Sequence, residues 1–398
     1  MFALFQSTRK SLRTFRLPIL VPIFAMTLAA CDPAALAGLG NSGPKIDRNA
    51  PIPVALLLPR GSGSASDDLL AQSLENAARL AIRDLGDVKV DLRVYGTAGN
   101  AQTAATQAAQ AVNDGAKIIL GPVYAEAANA AAVAIAGKNV NILSFSNNPT
   151  IAGGNVFMLG QTFQNTANRM VSFAKSQGKD RIVIAHAQDI AGQLGHNAVQ
   201  AAIAANGATL VGTVDYPLSQ QGVVAAIPKI KAAVDNGGAN AVFMTSPSAS
   251  ALPLLTQLLP EAGVKLDVTQ FIGLTRWDRP AATLGLPGVQ GGWFALPDPA
   301  TTNAFRSQYE TAFGKRPHPI GSLAFDGMAA IGALVKSGKS NPLSKAAISQ
   351  GAGFKGANGI FRFLPDGTNQ RALAIATIRD KKVVVIDNAP TGFNGAGF

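Results

Sequence analysis

The sequence has little of the chemistry that metalloproteins and most hydrolases need. It contains one cysteine and three histidines, His186, His196 and His318, so an intrachain disulfide and a thiolate metal cluster are excluded. The chain has no GxSxG segment. We therefore expect no catalytic residues, no metal and no cofactor, and the chain is not predicted to be an enzyme.

Charged residues are also scarce, at 14%, although the net charge is +11. The basic residues are dispersed, with no run longer than Lys381-Lys382 and no basic patch interleaved with aromatic residues. We therefore expect no nucleic-acid binding. The hydrophobic content of 47%, with 41 Gly and 23 Pro, excludes a disordered chain, a coiled coil and a collagen-like repeat. A length of 398 residues predicts about two globular domains.

The N-terminal segment has the pattern of an export signal. Residues 1–16 carry four bases and no acid, residues 17–30 are apolar, and the segment ends in LAAC. We interpret residues 1–30 as a lipoprotein signal peptide, since the apolar run is shorter than the ~20 residues of a membrane-spanning helix. LAAC resembles a bacterial lipobox, which would make Cys31 the lipidated N-terminus. The alternative is a chance cysteine beside an ordinary cleavage site.

Residues 31–53 are rich in proline and glycine and show no hydrophobic period. We expect a lipid-anchored flexible tether there. Together with the signal peptide, the tether predicts a periplasmic protein that is anchored by lipid to a bacterial membrane.

Beyond the tether, apolar runs alternate with alanine-rich helical stretches in two successive sets. The first set predicts strands at 54–58, 88–94, 118–120 and 140–144, with helices at 67–85, 101–113 and 125–136. The second predicts strands at 181–185, 209–214, 241–244 and 268–273, with helices at 194–206, 223–235 and 251–262. A less regular remainder predicts a strand at 292–295, helices at 301–313 and 320–335, and antiparallel strands at 359–363, 372–378 and 383–386. This alternation favours an α/β fold with two doubly wound parallel-sheet lobes.

Two glycine-rich segments could hold phosphate, but neither has the full pattern. The GxGxxG run at 351–356 precedes a predicted strand rather than a helix, so we interpret it as a turn. The segment 60–64 lies between a strand and a helix, as an anion site should, yet it lacks the GK[ST] ending of a P-loop.

In doubly wound sheets, ligands bind outside the carboxyl ends of the strands. The loops predicted there carry hydroxyl, amide and guanidinium groups, which are typical of a recognition cleft. The candidate ligand-binding residues are Arg60, Ser62, Tyr124, Ser146, Asn148, Asp189, Ser246, Arg276 and Asp278.

The order and spacing of several segments resemble the type I periplasmic binding proteins of the leucine/isoleucine/valine-binding group, over about residues 53–387. These segments are PVALLLP, SLENAARLAI, KIILGPVY, NVNILSFSNNP, KDRIVIAHAQDIAGQLGHNAVQAAI and FDGMAAIGAL. The resemblance implies two lobes that close on a ligand, joined by three crossovers near Gly160, Trp293 and Lys345. It assigns 54–160 plus 295–345 to lobe I, 161–294 plus 346–390 to lobe II, and 391–398 to a tail.

The resemblance also implies pocket residues, and the chain departs from them. Where amino-acid binders of the family carry a small hydroxyl residue, a threonine, an aromatic residue and an acid, this chain has Ala125, Asn148, Ala191 and Thr275. If a small zwitterion binds, we expect Ser146 and nearby backbone N–H groups to contact its carboxylate. Asp278 or Asp189 would then face its ammonium group.

Two functions remain open at this point. One is a solute receptor that binds an amino acid or related small molecule and delivers it to an ABC permease. The other follows from the segments GPVY and SFSNNP, which resemble the penicillin-binding protein activator lipoproteins. That resemblance implies regulation of a peptidoglycan synthase by protein contact, with no transport role.

Overall fold

The computed structural model describes residues 43–393. In chain order its strands are β1 Ile52–Leu58, β2 Val90–Gly96, β3 Ile118–Leu120, β4 Asn141–Ser144, β5 Val156–Met158, β6 Arg181–Ala187, β7 Thr209–Tyr216, β8 Ala241–Met244, β9 Gln270–Gly273, β10 Trp293–Pro297, β11 Phe354–Gly356, β12 Gly359–Phe363, β13 Asn369–Arg371, β14 Leu373–Arg379 and β15 Lys382–Asp387. Its α-helices are α1 Ala65–Arg83, α2 Ala101–Asn113, α3 Ala125–Ala134, α4 Phe163–Ser176, α5 Ile190–Asn206, α6 Gln220–Gly237, α7 Leu252–Glu261, α8 Pro299–Phe313, α9 Ser322–Lys336 and α10 Lys345–Ile348. Short 3₁₀ turns occupy Pro149–Ile151, Ala281–Gly285 and Pro287–Val289.

The strands form two large sheets and one small one. The first sheet is parallel and has the order β2-β1-β3-β4-β5. The second has the order β15-β14-β10-β9-β8-β6-β7, with β6 to β10 parallel and β14 and β15 antiparallel at one edge. The third, β11-β12-β13, is antiparallel. This arrangement confirms the predicted α/β fold with two parallel-sheet lobes.

Each large sheet is covered by helices, which explains its continuous apolar strands. In β1, residues 54–58 are fully or almost fully buried, as expected for a parallel strand with both faces covered. Helices α1, α8 and α9 pack on one face of the first sheet, and α2 and α3 supply alanines to the other. Each fully buried Leu or Phe stabilises the fold by roughly 1.5–3 kcal/mol.

The bounds of α2, β3, β8 and β12 agree with the predicted spans, and most other predicted elements differ by a few residues at their ends. Helix α1 begins two residues earlier than predicted, and its N-cap is Ser64. Helix α4 and the short strands β5, β11 and β13 were not predicted.

The chain crosses between the two large sheets three times. The first crossing joins β5 to α4 and contains Gly160. A Cβ at this position would lie 2.4 Å from the carbonyl oxygen of Ser146, so only glycine fits without a shift of the backbone. The second follows Pro297 at the end of β10, and not Trp293, because Trp293 lies inside that strand.

The third crossing lies between β13 and β14, near Ala372, rather than near Lys345. Before it, Phe354, Phe361 and Phe363 pack in the core of the first sheet, with their rings in mutual contact. Residues 354–363 therefore pack with the first lobe, whereas the sequence-based limits assigned them to the second.

Buried side chains hold the first and third crossings together. The Asn369 Nδ2 group donates to the carbonyl oxygens of Met158, at 2.7 Å, and Gly160, at 2.9 Å. The Arg371 Nε group donates to the carbonyl oxygen of Leu159 at 2.9 Å, and its Nη1 group donates to Asp326 Oδ2 at 2.8 Å. These bonds satisfy backbone carbonyl groups that no strand neighbour reaches.

Part of the predicted tether lies against the body of the protein. Ile46 packs on the core of the first sheet, and the Arg48 guanidinium donates to the carbonyl oxygen of Lys339. The predicted signal peptide and Cys31 lie outside the described residues, as does most of the predicted tail. Within 43–393, no helix is long and apolar enough to span a bilayer.

Candidate functional site

The carboxyl ends of the first sheet's strands form an open pocket of about 580 Å³. The starts of α1, α2 and α3 meet here, so the free backbone N–H groups of three helices give the pocket donors for an anion. It is lined by Ser62, Ser64, Asp67, Ala98, Gly99, Ala101, Tyr124, Ala125 and Glu126. The side chains of Ser64 and Tyr124, the N-caps of α1 and α3, accept no hydrogen bond from a backbone N–H group of their own helices.

Tyr124 and Asp67 are joined across this pocket. The Tyr124 hydroxyl donates to Asp67 Oδ1 at 2.5 Å. That bond, together with partial burial, raises the pKa of Tyr124 above its ordinary value, so the hydroxyl remains protonated and keeps the carboxylate of Asp67 in place. Asp67 was not among the predicted site residues, although an acid in the first turn of a helix at a strand end is a usable signal.

The other predicted residues of this lobe are placed differently. Ser62 lines the pocket and its Oγ accepts a hydrogen bond from Ser64 N at 3.1 Å. Arg60 is absent from the lining and forms an ion pair with Glu75 at 2.6 Å. Ser146 is buried beneath the loop after β4, where its Oγ accepts from Asn148 N at 3.2 Å.

Asn148 serves the same loop in another way. Asn148 Oδ1 accepts a hydrogen bond from Thr150 N at 3.1 Å, and this bond caps the 3₁₀ turn Pro149–Ile151. Ser146 and Asn148 therefore shape the loop rather than line the pocket of the first sheet.

The second sheet carries a smaller pocket, of about 80 Å³, at the corresponding strand ends. Asp189 and Ser246, two of the predicted residues, are brought together in it. The full lining is Phe163, Ala187, Asp189, Ala191, Gly192, Leu218, Thr245, Ser246, Pro247, Ser250 and Thr275.

The polar groups of this pocket are partly engaged. Asp189 Oδ1 accepts from Gly192 N at 2.6 Å, which caps α5, and the Ser246 hydroxyl bonds to the Tyr216 hydroxyl. Thr245 is buried, and its Oγ1 has no hydrogen-bond partner among the described residues. Thr245 was not selected from the sequence, although it directly follows a predicted strand.

Arg276 and Asp278 lie near the second pocket in sequence but do not line it. They pair with each other, and Arg276 Nε donates to Asp278 Oδ1 at 2.8 Å. The Arg276 guanidinium therefore already compensates the charge that was expected to face a ligand ammonium group.

The two pockets thus combine hydroxyl groups, helix N–H donors and a few carboxylates at the carboxyl ends of parallel strands. Among the residues from 43 to 393, no three His, Cys, Asp or Glu side chains come together as a metal site. Polar groups at the carboxyl ends of parallel strands are typical of ligand-recognition sites. Comparison with known families agrees with this interpretation: residues 51–382 match the family model described as periplasmic binding protein, and the chain belongs to that family.

Solved structures with a similar fold include a leucine-binding protein and branched-chain amino acid ABC transporter proteins, the group that the sequence resembles. A Rhodospirillum rubrum protein provisionally assigned as a branched-chain amino acid ABC transporter is 18% identical, with a TM-score of 0.71 over 85% of this chain and 100% of that one. An ABC transporter substrate-binding protein from Desulfitobacterium hafniense, solved with Leu, is 18% identical, with a TM-score of 0.60 over 85% and 100% of the two chains.

A third structure has a different ligand. A solute-binding protein of an ABC transporter from Rhodopseudomonas palustris, solved with 3,4-dihydroxybenzoic acid, is 18% identical, with a TM-score of 0.56 over 86% of this chain and 97% of that one. No curated protein sequence matches the chain.

Proposed function

We propose that this protein is the periplasmic solute receptor of an ABC importer and that it binds a small amino acid between its lobes. The observation that carries the proposal is the pair of polar pockets at the carboxyl ends of the two parallel sheets. Two of the similar proteins were solved with Leu and with 3,4-dihydroxybenzoic acid. Both compounds carry a carboxylate.

The first pocket offers groups for both ends of an amino acid. The N–H groups at the start of α3 suit the ligand carboxylate, since this helix N-cap supplies no side-chain acceptor. Asp67 and Glu126 line the same pocket and can accept from the ammonium group. This assignment replaces Asp278, whose carboxylate is paired with Arg276, as the expected countercharge.

Calorimetry of the Asp67→Asn variant tests this assignment. A charge-assisted hydrogen bond contributes about 1.5–3 kcal/mol, so we expect affinity for the preferred amino acid to fall roughly ten- to hundredfold. Affinity for an aromatic carboxylate without an ammonium group should change far less. Asp68→Asn is the matched control, because Asp68 is exposed in the same helical turn and lies outside the pocket lining. Equal losses in both variants would contradict the assignment.

A second candidate, regulation of a peptidoglycan synthase by protein contact, is favoured by the residues that replace family pocket groups. Ala125 and Ala191 provide neither a hydroxyl group nor an aromatic wall. Ile190 and Leu218, at the second pocket's edge, are 82% and 53% exposed and offer apolar contact area. Crosslinking of the protein on intact membranes separates the candidates: an ABC permease partner supports the receptor, and a penicillin-binding protein partner supports the regulator.

A further inference from the structure

A third cavity, of about 580 Å³, lies beside the first crossing between the sheets. It shares Phe163 with the pocket of the second sheet. It is enclosed by the loop after β4, by α4 and α5, and by the hairpin that joins β12 to β13. Eight of its sixteen lining residues are Asn or Gln. Five of these have hydrogen bonds that bear on ligand binding: Asn148, Gln164, Asn168, Asn197 and Asn369.

Several of these amides keep bonding capacity for a ligand. Asn148 and Asn197 use their Oδ1 atoms as acceptors for Thr150 N, at 3.1 Å, and Gln193 Nε2, at 3.0 Å. Asn168 Oδ1 accepts from Gln164 Nε2 at 2.7 Å. Within the described part of the chain, the Nδ2 groups of Asn148, Asn168 and Asn197 have no acceptor. Three amide NH2 groups therefore remain as hydrogen-bond donors for a ligand.

The rest of the lining is apolar and almost free of charge. Phe163, Leu194 and Leu364 contribute carbon surface. Asp366 is the one charged residue in the lining of this cavity, and its Oδ1 is occupied by Thr368 N at 2.9 Å and Thr368 Oγ1 at 2.6 Å. No Lys, Arg or His lines the cavity, so an anionic ligand would find no countercharge there.

Asn369 adds an unsatisfied acceptor at the base of the cavity. The residue is 4% exposed, and its Nδ2 group donates to the carbonyl oxygens of Met158 and Gly160. Its Oδ1 atom has no hydrogen-bond partner among the described residues. A buried acceptor left unpaired is unfavourable, and a hydroxyl donor from a ligand would remove that penalty.

We propose that this cavity binds an uncharged sugar of one or two rings. Carboxamides donate and accept hydrogen bonds, as sugar hydroxyl groups do, and the apolar side chains suit the C–H faces of a pyranose ring. The volume lies within the range of small-molecule sites. None of the donors named above lines either pocket, and Phe163 is the only lining residue that the cavity shares with the pocket of the second sheet.

Saturation-transfer NMR followed by titration tests the site, with glucose, N-acetylglucosamine, cellobiose and N,N′-diacetylchitobiose as probes and glucuronate as a charged comparator. We expect at least one neutral sugar to bind the full mature protein more tightly than glucuronate. Asn168→Leu and Asn197→Leu should each weaken that binding by roughly three- to tenfold, because each removes one hydrogen bond. Both positions are on helix surfaces, and neither change should alter binding at the amino-acid cleft.

Gln200→Leu is the matched control, because Gln200 is exposed on α5 and does not line the cavity. It should bind the sugar like the unaltered protein. Absence of binding by every neutral probe, preference for glucuronate, or equal binding by the control and both cavity variants would overturn the proposal. Because each variant is also titrated with the amino acid, failure of the sugar site is distinguishable from failure of the cleft.

Discussion

At the scale of single residues, the buried ion pair between Asp326 and Arg371 stabilises the third crossing. Asp326 is fully buried on α9, where it accepts from Arg371 Nη1 at 2.8 Å and from Ala357 N at 2.7 Å. Burial raises the pKa of Asp326, and the Arg371 charge and the backbone N–H groups oppose that rise. The Arg371 guanidinium also lies over the Phe361 ring, 4.9 Å from its centre.

Asp326→Asn should therefore destabilise the protein strongly. The variant leaves the Arg371 charge buried without its partner, which lowers the free energy of unfolding by about 3–5 kcal/mol. Urea denaturation followed by circular dichroism measures the loss. Asp91→Asn is the control: its ion pair with Arg93 has side chains 40% and 37% exposed, so the change should cost less than ~1 kcal/mol. Similar midpoints for the two variants would contradict this account of the crossing.

Membrane attachment is predicted to depend on lipidation of Cys31. It is the only cysteine in the chain and follows the LAA tripeptide of the predicted lipobox. Cys31→Ser should abolish labelling by radioactive palmitate and release the protein from the membrane fraction into the soluble one. Continued lipid labelling of the variant would show that the anchor is elsewhere or that the lipobox interpretation is wrong.

At the scale of elements, α4 depends on its first turn. Thr162 Oγ1 accepts from Asn165 N at 3.2 Å, and Asn165 Oδ1 accepts from Thr162 N at 2.9 Å, so the two residues form a capping box. Thr162→Ala should lower the free energy of unfolding by ~1 kcal/mol. Ser64→Ala at the start of α1 should have almost no effect, because Ser64 makes no side-chain cap bond. Urea denaturation measures both changes. A larger loss of unfolding free energy for Ser64→Ala than for Thr162→Ala would contradict the role of the capping box.

Helix α4 was not predicted, although its sequence has the spacing of a helix. Its apolar residues recur at helical spacing, at Ala167, Met170, Val171 and Ala174, and all four are buried. Helices such as α2 were predicted because they lie between two recognisable strands. Helix α4 follows a three-residue strand, β5, which is too short to give a period. The third crossing was misplaced because aromatic residues of the third sheet pack on a sheet that is distant in the sequence.

At the scale of the whole molecule, four of the predicted site residues line pockets at the strand ends, and the contacts of the charged ones were not predicted. Strand order places the loops after β1, β3, β6 and β8 at the carboxyl ends of the sheets, and Ser62, Tyr124, Asp189 and Ser246 line the two pockets there. The partners of charged groups could not be predicted, because they depend on loop conformation. Arg60 reaches back to Glu75 on α1, and Arg276 turns to Asp278 two residues away.

The central claim is that the two pockets form one site for a small amino acid, and calorimetric titration of the unaltered mature protein tests it most directly. The titrants are the twenty amino acids, short peptides and aromatic carboxylic acids such as 3,4-dihydroxybenzoic acid. The account predicts saturable binding of at least one amino acid with one site per chain, and a heat that disappears when that ligand is already bound. Absence of heat with every titrant would contradict the receptor function and favour regulation by protein contact.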